Sequence, residues 1–131
     1  MSIHFNHTIA HGRDKRVSAA FLTEILGLPP ARPFADFVVI EFANGVSLDF
    51  LDAGDFEVVP QHYAFLVGED EFDAIFARIR ARGLSYWADP FKRRPGEINR
   101  NDGGRGVYFP DPDGHLLEIL TRPYGSGAAN G

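Results

Sequence analysis

Two histidines and two carboxylates occupy matching positions in the two halves of this 131-residue chain. His7 and His62 lie 20 and 21 residues, respectively, before a glycine that ends a predicted helix. Asp49 and Glu118 each lie four residues after the glycine of an Asn-Gly or Asp-Gly turn. Neutral imidazole and carboxylate are ligands that Zn, Ni, Fe(II), Mn and Co accept, and two histidines with one carboxylate leave positions open for substrate. If the two halves share a cleft, the pattern predicts one divalent metal ion between them.

These four residues lie on predicted strands at either end of a supersecondary unit that occurs twice. Alternating or β-branched sequence, together with the turn signals Asn44-Gly45 and Asp113-Gly114, defines the strands. The predicted strands are 4–10, 37–42, 46–51, 62–67, 84–87, 106–109 and 115–121. A unit that cannot bury its own apolar face is expected to pack against its copy. We therefore predict an α+β fold of two related modules, 3–52 and 61–122, each with a helix after its first strand.

One helix is predicted in each module. Asp14 can cap the first helix and Gly27 ends it, while the second helix covers 69–82. Apolar residues spaced three and four apart predict the buried helix faces. These faces are Val17, Ala20, Phe21, Ile25 and Leu28 in the first helix and Phe72, Ile75, Phe76 and Ile79 in the second. We expect one domain over 1–124, followed by a small polar tail, 125–131, that is flexible.

Composition excludes several classes of partner and chemistry. The formal net charge is −5 and basic residues are scattered apart from Lys92-Arg93-Arg94, which argues against a nucleic-acid surface. The absence of cysteine excludes disulfides, thiolate metal sites and cysteine nucleophiles. No apolar run is long enough to cross a membrane and the N-terminal residues lack a signal-peptide pattern, so we expect a cytoplasmic protein. Twelve Phe residues predict an aromatic-walled core or a cavity for a small-molecule substrate.

The last predicted hairpin carries the most specific motif in the chain. The stretch Gly106-Val107-Tyr108-Phe109-Pro110-Asp111-Pro112-Asp113-Gly114-His115-Leu116-Leu117-Glu118-Ile119 resembles the signature of the vicinal-oxygen-chelate superfamily. Members of that superfamily include glyoxalase I, fosfomycin-resistance thiol transferases, extradiol dioxygenases, methylmalonyl-CoA epimerase and bleomycin-resistance proteins. The resemblance covers residues 3–122 and implies the glyoxalase/bleomycin-resistance/dioxygenase fold, in which two βαβββ-type modules form a paired, curved sheet that lines a cleft. It is specific for the fold and leaves the reaction open.

The resemblance also implies roles for individual residues. Metal ligands of this superfamily lie on the first and last strands of the modules, and these positions hold His7, His62 and Glu118. At the fourth symmetric position glyoxalase I-like members have Glu, whereas this chain has the shorter Asp49. That leaves open direct binding, binding through water, or a role as general base. Tyr108 lies ten residues before Glu118, where thiol transferases of the superfamily have a tyrosine, and it is either a catalytic residue or a core aromatic.

The long polar loop over 88–105 is a candidate substrate-binding segment. Its cations, and the one that follows directly, are Lys92, Arg93, Arg94, Arg100 and Arg105. We predict Arg94 and Arg105 as substrate contacts, because a guanidinium matches carboxylate or phosphate groups; the alternative is a solvated loop. Residues 116 and 118 share one face of a regular strand, so His115 should point away from that face and be structural.

Three functions are compatible with these residues. The first is a metal-dependent glyoxalase-type lyase, isomerase or transferase, in which the metal chelates neighbouring substrate oxygens and stabilises a developing oxyanion. The second is an Fe(II) extradiol dioxygenase with the same ligands, although those enzymes are usually longer and add a catalytic His and Tyr. The third is a metal-free protein that sequesters a drug or metabolite in an aromatic cleft. The resemblance also implies a homodimer, with modules paired within one chain or between chains.

Overall fold

The computed structural model describes residues 2–127 and divides into two compact units, Met1–Val59 and Pro60–Gly131. Each unit contains one mixed sheet and one α-helix, so the predicted α+β fold with two related modules is confirmed. Within the described residues, no helix is both long and apolar enough to cross a bilayer.

The first unit is a four-stranded sheet with one helix. Its elements are β1 (His7–Gly12), α1 (Lys15–Leu26), β2 (Arg32–Phe34), β3 (Phe37–Glu41) and β4 (Ser47–Asp52). The strand order is β1-β4-β3-β2, with β1 parallel to β4 and the other pairs antiparallel. Helix α1 supplies the crossover after β1 and lies against β1, β3 and β4.

The second unit repeats this plan with one strand fewer. Its elements are β5 (His62–Leu66), α2 (Glu69–Ala81), a short 3₁₀ turn (Asn101–Gly103), β6 (Gly106–Pro110) and β7 (Leu116–Leu120). The strand order is β5-β7-β6, with β5 parallel to β7 and β6 antiparallel to it. The apolar core of this unit includes Phe72, Ile75, Ile79, Phe109 and Ile119, all at most 2% exposed.

The two parallel strand pairs have the same register. His7 is paired with Ser47, and His62 is paired with Leu116. In each unit the carboxylate, Asp49 or Glu118, therefore lies two residues beyond the partner of the histidine. Side chains two residues apart share one face of a strand, so each imidazole and its carboxylate belong to the same face of their sheet.

Helix α1 begins and ends where the sequence predicts, but it buries a different face. Asp14 Oδ1 accepts hydrogen bonds from the N–H groups of Arg16 and Val17, and Gly27 ends the helix at φ 74°. The buried residues are Ser18, Ala19, Leu22, Thr23 and Ile25. Val17, which we expected to be buried, is 55% exposed. The reason is steric: small and medium side chains let the helix approach β3 and β4 closely, and of the predicted face only Ile25 is buried.

Two further differences concern the strand before each antiparallel hairpin. The structure has a short strand, β2, that the sequence analysis did not predict, and it has no regular strand over the predicted range 84–87. There, Trp87 alone exchanges backbone hydrogen bonds with Tyr108, at 2.9 and 2.8 Å. The predicted strand is wrong because Tyr86 and Ala88 instead bond to Gly96 and Arg94 of the following loop. This single bridge occupies the place that β2 has in the first unit.

Candidate metal centre

His62 and Glu118 form the centre of a polar cluster in the second unit. Nε2 of His62 lies 3.1 Å from Oε1 of Glu118. The Glu118 side chain is 1% exposed and that of His62 is 44% exposed, so the pair joins a buried carboxylate to a solvent-accessible ring. Strand β5 supplies the histidine and its parallel neighbour β7 supplies the carboxylate, as the repeat predicts.

The backbone fixes the protonation pattern of the His62 ring. Nδ1 lies 2.9 Å from the carbonyl oxygen of Leu116, and a carbonyl can only accept a hydrogen bond. Nδ1 therefore carries the proton, and in the neutral ring Nε2 presents a lone pair. A backbone or carboxylate partner on the other ring nitrogen is the usual way in which metal-binding histidines are oriented.

This pattern fits a divalent cation. A neutral Nε2 and an ionised Glu118 oxygen oppose two lone pairs at 3.1 Å, so the contact is favourable when a cation bridges them, either a proton on Nε2 or a metal ion. Two ligand atoms at about 2.1 Å from one metal in octahedral or tetrahedral geometry lie about 3.0–3.4 Å apart. The observed separation falls in that range, and the borderline nitrogen–oxygen donor set suits Fe, Mn, Co, Ni or Zn.

Two tyrosines complete the cluster on the other side of Glu118. The hydroxyl of Tyr124 donates to Oε2 of Glu118. The hydroxyl of Tyr108 lies 2.6 Å from that of Tyr124. A hydroxyl has one proton, and Tyr124 donates its own to Glu118, so Tyr108 donates to Tyr124. Burial raises the pKa of Tyr108. The pKa of Tyr124 is also raised, mainly by burial and secondly by its hydrogen bond to Glu118. Both hydroxyls therefore keep their protons at neutral pH.

The first unit has no equivalent contact between its histidine and its carboxylate. His7 is exposed, and its Nδ1 lies 2.6 Å from Oδ1 of Asn6. Asp49 is half-buried and accepts a hydrogen bond from Oγ of Ser47 at 2.9 Å. Each predicted ligand of this unit is therefore oriented by a neighbour in its own strand segment.

The predicted ligand set is only partly brought together. Among residues 2–127, no group of three or more His, Cys, Asp or Glu side chains is close enough to hold a metal ion. The second unit on its own supplies two of the three predicted ligands, His62 and Glu118. His7 belongs to the first unit, so its participation stays a prediction, as does the role of Asp49.

The two predicted substrate-binding arginines already have carboxylate partners. Arg105 binds Glu69 and Asp73 of α2 at 2.8 Å each, and its guanidinium lies 4.4 Å from the centre of the Phe72 ring. Arg94 binds Glu97 at 3.1 Å within the loop. A role in substrate binding stays a prediction, and for Arg105 it would require two ion pairs to break.

His115 and Tyr124 illustrate what strand alternation can and cannot predict. His115 is 1% exposed, and its Nδ1 accepts the N–H of Gln61 at 2.9 Å, so it joins two backbone segments as a structural residue. Tyr124 was not predicted as a site residue, because it lies in a turn beyond the last strand. The available signal was its position as a lone large aromatic before a run of small residues, which is a weak one.

Comparison with known proteins gives a family match over most of the chain. The family described as Glyoxalase/Bleomycin resistance protein/Dioxygenase superfamily matches residues 4–119. Among solved structures, oxidase ChaP-H1 is 64% identical with a TM-score of 0.92, covering 95% of this chain and 99% of that one.

Two curated bacterial proteins are more distant relatives. Glutathione transferase FosA of Serratia marcescens is 30% identical over 120 residues, which are 87% of this chain and 77% of that protein. Metallothiol transferase FosB of Shouchella clausii is 38% identical over 60 residues, 46% of this chain, and the match spans only 37% of that protein. The relatives whose names state an activity are thus enzymes, and they carry out different reactions.

Proposed function

Because the chain belongs to the Glyoxalase/Bleomycin resistance protein/Dioxygenase superfamily, we propose that it is a metal-dependent oxidase of this superfamily. His62 and Glu118, together with His7, would hold one redox-active divalent ion, Fe(II) or Mn(II). The observation that carries the proposal is the 64% identity with an oxidase over nearly the whole chain. The pairing of a buried carboxylate with an oriented imidazole at 3.1 Å supports the metal centre.

The proposed substrate is a small organic molecule with two neighbouring oxygens, at least one of them a hydroxyl. Oxidation of a CH–OH group to a carbonyl, or of a catechol to a quinone, removes two electrons and two protons, which convert O₂ into H₂O₂. The bound metal would supply the electron path to O₂ and polarise the substrate oxygens. Asp49, held by Ser47 Oγ, is the proposed acceptor of a substrate proton. The Leu116 carbonyl accepts the Nδ1 proton of His62, so the neutral ring presents Nε2 as the ligand atom.

A thiol transferase or glyoxalase-type lyase is the second candidate. The similarity to the Serratia transferase and the position of Tyr108 favour it. Against it, the Tyr108 proton is donated to Tyr124, and Arg105 is engaged by two carboxylates. A transferase that binds an anionic substrate needs free donors, whereas an oxidase of a neutral diol or catechol does not.

Metal-reconstituted protein tests the proposal directly. Chelator-stripped protein would be loaded separately with Fe(II), Mn, Co, Ni or Zn and assayed for O₂ uptake and H₂O₂ release with a panel of diols and catechols. We expect O₂ uptake with Fe or Mn only, loss of it in His62→Ala, and full uptake in Tyr86→Phe, a control whose ring packs edge-to-face against Phe76.

Two results would contradict the oxidase. Thiol transfer or isomerisation with Zn or Ni, without O₂ uptake, would favour the second candidate. Absence of stoichiometric metal in the reconstituted protein, with small-molecule binding unchanged in His62→Ala, would favour a metal-free sequestering protein.

A further inference from the structure

We propose that Tyr124 is a positioning residue that makes Glu118 a one-oxygen ligand, and that Asp102 holds Tyr124 in place. This inference rests on the proposed metal centre and assigns a role to the segment beyond the last strand. Glu118 has two carboxylate oxygens, and they have different partners: Oε1 faces Nε2 of His62, whereas Oε2 accepts the Tyr124 hydroxyl.

The occupied oxygen has a chemical consequence. A carboxylate can bind a divalent metal through one oxygen or through both. With Oε2 held by Tyr124, a cation beside His62 would be offered Oε1 alone. One coordination position that a two-oxygen carboxylate would fill would then stay available to substrate or O₂. The Tyr108 hydroxyl reinforces this choice, because its donated hydrogen bond polarises the hydroxyl of Tyr124 towards Glu118.

Burial of the aromatic ring does not explain the position of Tyr124. The residue is 58% exposed, so the ring itself contributes little apolar burial. Its hydroxyl nevertheless reaches a carboxylate that is 1% exposed. The ring is therefore positioned by the hydrogen bonds of its hydroxyl and by the backbone that carries it.

Asp102 supplies that hold. Its Oδ1 accepts the N–H groups of Gly125 at 3.1 Å and Gly127 at 3.2 Å, on the carboxyl side of Tyr124. A Cβ atom at Gly127 would lie 2.3 Å from the backbone oxygen of Asp102, so only glycine permits this approach. Asp102 itself has φ 58° within the 3₁₀ turn. The turn is closed by Ser126, whose N–H and Oγ both donate to the carbonyl of Pro123.

The two parts of the inference can be separated by substitution. Tyr124→Phe removes the hydroxyl and keeps the ring. Asp102→Ala removes the acceptor of both backbone N–H groups, whereas Asp102→Asn keeps an Oδ1 acceptor and should restore the wild-type behaviour. Tyr108 has its own hydroxyl near Glu118, so a Tyr108→Phe, Tyr124→Phe double variant prevents it from replacing Tyr124. Tyr86→Phe is the matched tyrosine control.

The measurement is Co(II) affinity by chelator competition, together with the intensity of the Co(II) d–d absorption. That absorption weakens as the coordination number rises, so it reports a change from one bound oxygen to two. We expect Tyr124→Phe and the double variant to lower affinity about 10- to 100-fold, the usual effect of removing a partner of a metal ligand, and to weaken the absorption. Asp102→Ala should show a smaller change in the same direction, and Asp102→Asn and Tyr86→Phe none.

The possible failures are distinguishable. Wild-type protein that binds no Co(II) would overturn the metal centre and this inference together. Wild-type protein that binds Co(II), with the same affinity and absorption in the folded double variant, would overturn the role of Tyr124 and leave the metal centre standing. Equal losses in Asp102→Ala and Asp102→Asn would overturn the role of Asp102, with circular dichroism establishing that each variant is folded.

Discussion

The two units place a histidine and a carboxylate in the same strand register, yet only the second unit joins them. His62 and Glu118 are 3.1 Å apart, whereas His7 and Asp49 bond to Asn6 and Ser47 instead. Register therefore determines which face the two groups share. It does not determine whether they meet.

The side chain across the strand from each carboxylate accounts for much of this difference. Asp49 is paired with Val39 of β3, whereas Glu118 is paired with Tyr108 of β6. Valine has no hydrogen-bonding side chain, and the hydrogen bond that Asp49 accepts comes from Ser47 of its own strand. The tyrosine, through Tyr124, holds Glu118 from behind and directs its other oxygen at His62. The residue across the strand, tyrosine or valine, thus distinguishes the unit whose histidine and carboxylate are in contact from the unit in which they are not.

The helices of the two units also differ, in the size of the side chains that they bury. Helix α1 buries mainly small and medium residues and is capped by the Asp14 side chain. Helix α2 buries Phe72, Ile75 and Ile79. Its N-terminus has no side-chain cap from Gly68; instead Glu71 accepts the Gly68 N–H at 2.7 Å. The unit with the organised pair is also the unit whose helix has the larger buried side chains.

Truncation of the buried helix faces should give the largest effect. Phe72 is fully buried beneath the Arg105 guanidinium, so Phe72→Ala should lower the free energy of unfolding by about 3–5 kcal/mol. Val17 is 55% exposed, so Val17→Ala should change it by less than about 0.5 kcal/mol. Urea denaturation of both variants measures the difference. A large loss in Val17→Ala would mean that the α1 surface is covered in solution.

Removal of each carboxylate charge tests whether only one of them is a strong ligand. Glu118→Gln keeps the side-chain length and should weaken metal binding at least about 100-fold, more than the loss of a ligand's hydrogen-bond partner. Asp49→Asn should weaken it less than about tenfold if Asp49 acts mainly as a proton acceptor. Chelator competition gives both values. Equal losses would make Asp49 a ligand and remove the contrast between the units.

The two helix N-termini offer a smaller test. Asp14→Ala removes the hydrogen bonds to the N–H groups of Arg16 and Val17, and it should cost about 0.5–2 kcal/mol of stability. Glu71→Ala removes only the bond to the Gly68 N–H and leaves Glu69 and Asp70 beside the helix dipole, so it should cost less. Thermal denaturation compares the two. A larger loss in Glu71→Ala would reverse the assignment of the stronger cap.

The smallest expected effect is a pH dependence confined to the second unit. Two hydrogen bonds lower the pKa of Glu69 from its ordinary value of 4.5: the one with Thr121 has the larger effect and the one with Arg105 the smaller. A lowered folded-state pKa stabilises the fold above the unfolded value, and this contribution is lost as the pH falls through the folded value. The wild-type protein should therefore have a larger free energy of unfolding than Glu69→Gln at neutral pH, and this difference should disappear below pH 4.5. A difference that persists in acid would rule out the charge as its cause.

The parts of this molecule that follow from periodicity and turn chemistry are predictable from its sequence. The β1 and β5 strands, the cap at Asp14, the turns before β4 and β7, and the shared face of His62 and Glu118 all have local signals. The buried face of α1 was mistaken because hydrophobicity alone ranked Val17 and Phe21 above Ser18 and Ala19, whereas close packing favoured the smaller residues.

The contact between Tyr124 and Glu118 could not be predicted from the sequence, for a different reason. Tyr124 reaches the carboxylate through a turn that Asp102 stabilises, and these two residues are 22 positions apart with no repeat to align them. Tail residues 128–131 lie outside the described residues, so the predicted flexibility stays a prediction there. Residues 125–127 are tied to Asp102.

The position of β7 between β5 and β6 has a consequence for how the protein is made. During synthesis β5 and β6 leave the ribosome before β7, and neither can pair with the other, since β7 separates them in the sheet. The central strand, which carries Glu118, is the last of the three to emerge. His62 and Glu118 are 56 residues apart in the chain, so their contact also closes a long loop. A nascent chain should therefore gain its imidazole–carboxylate pair in a single late step, when the sheet itself forms.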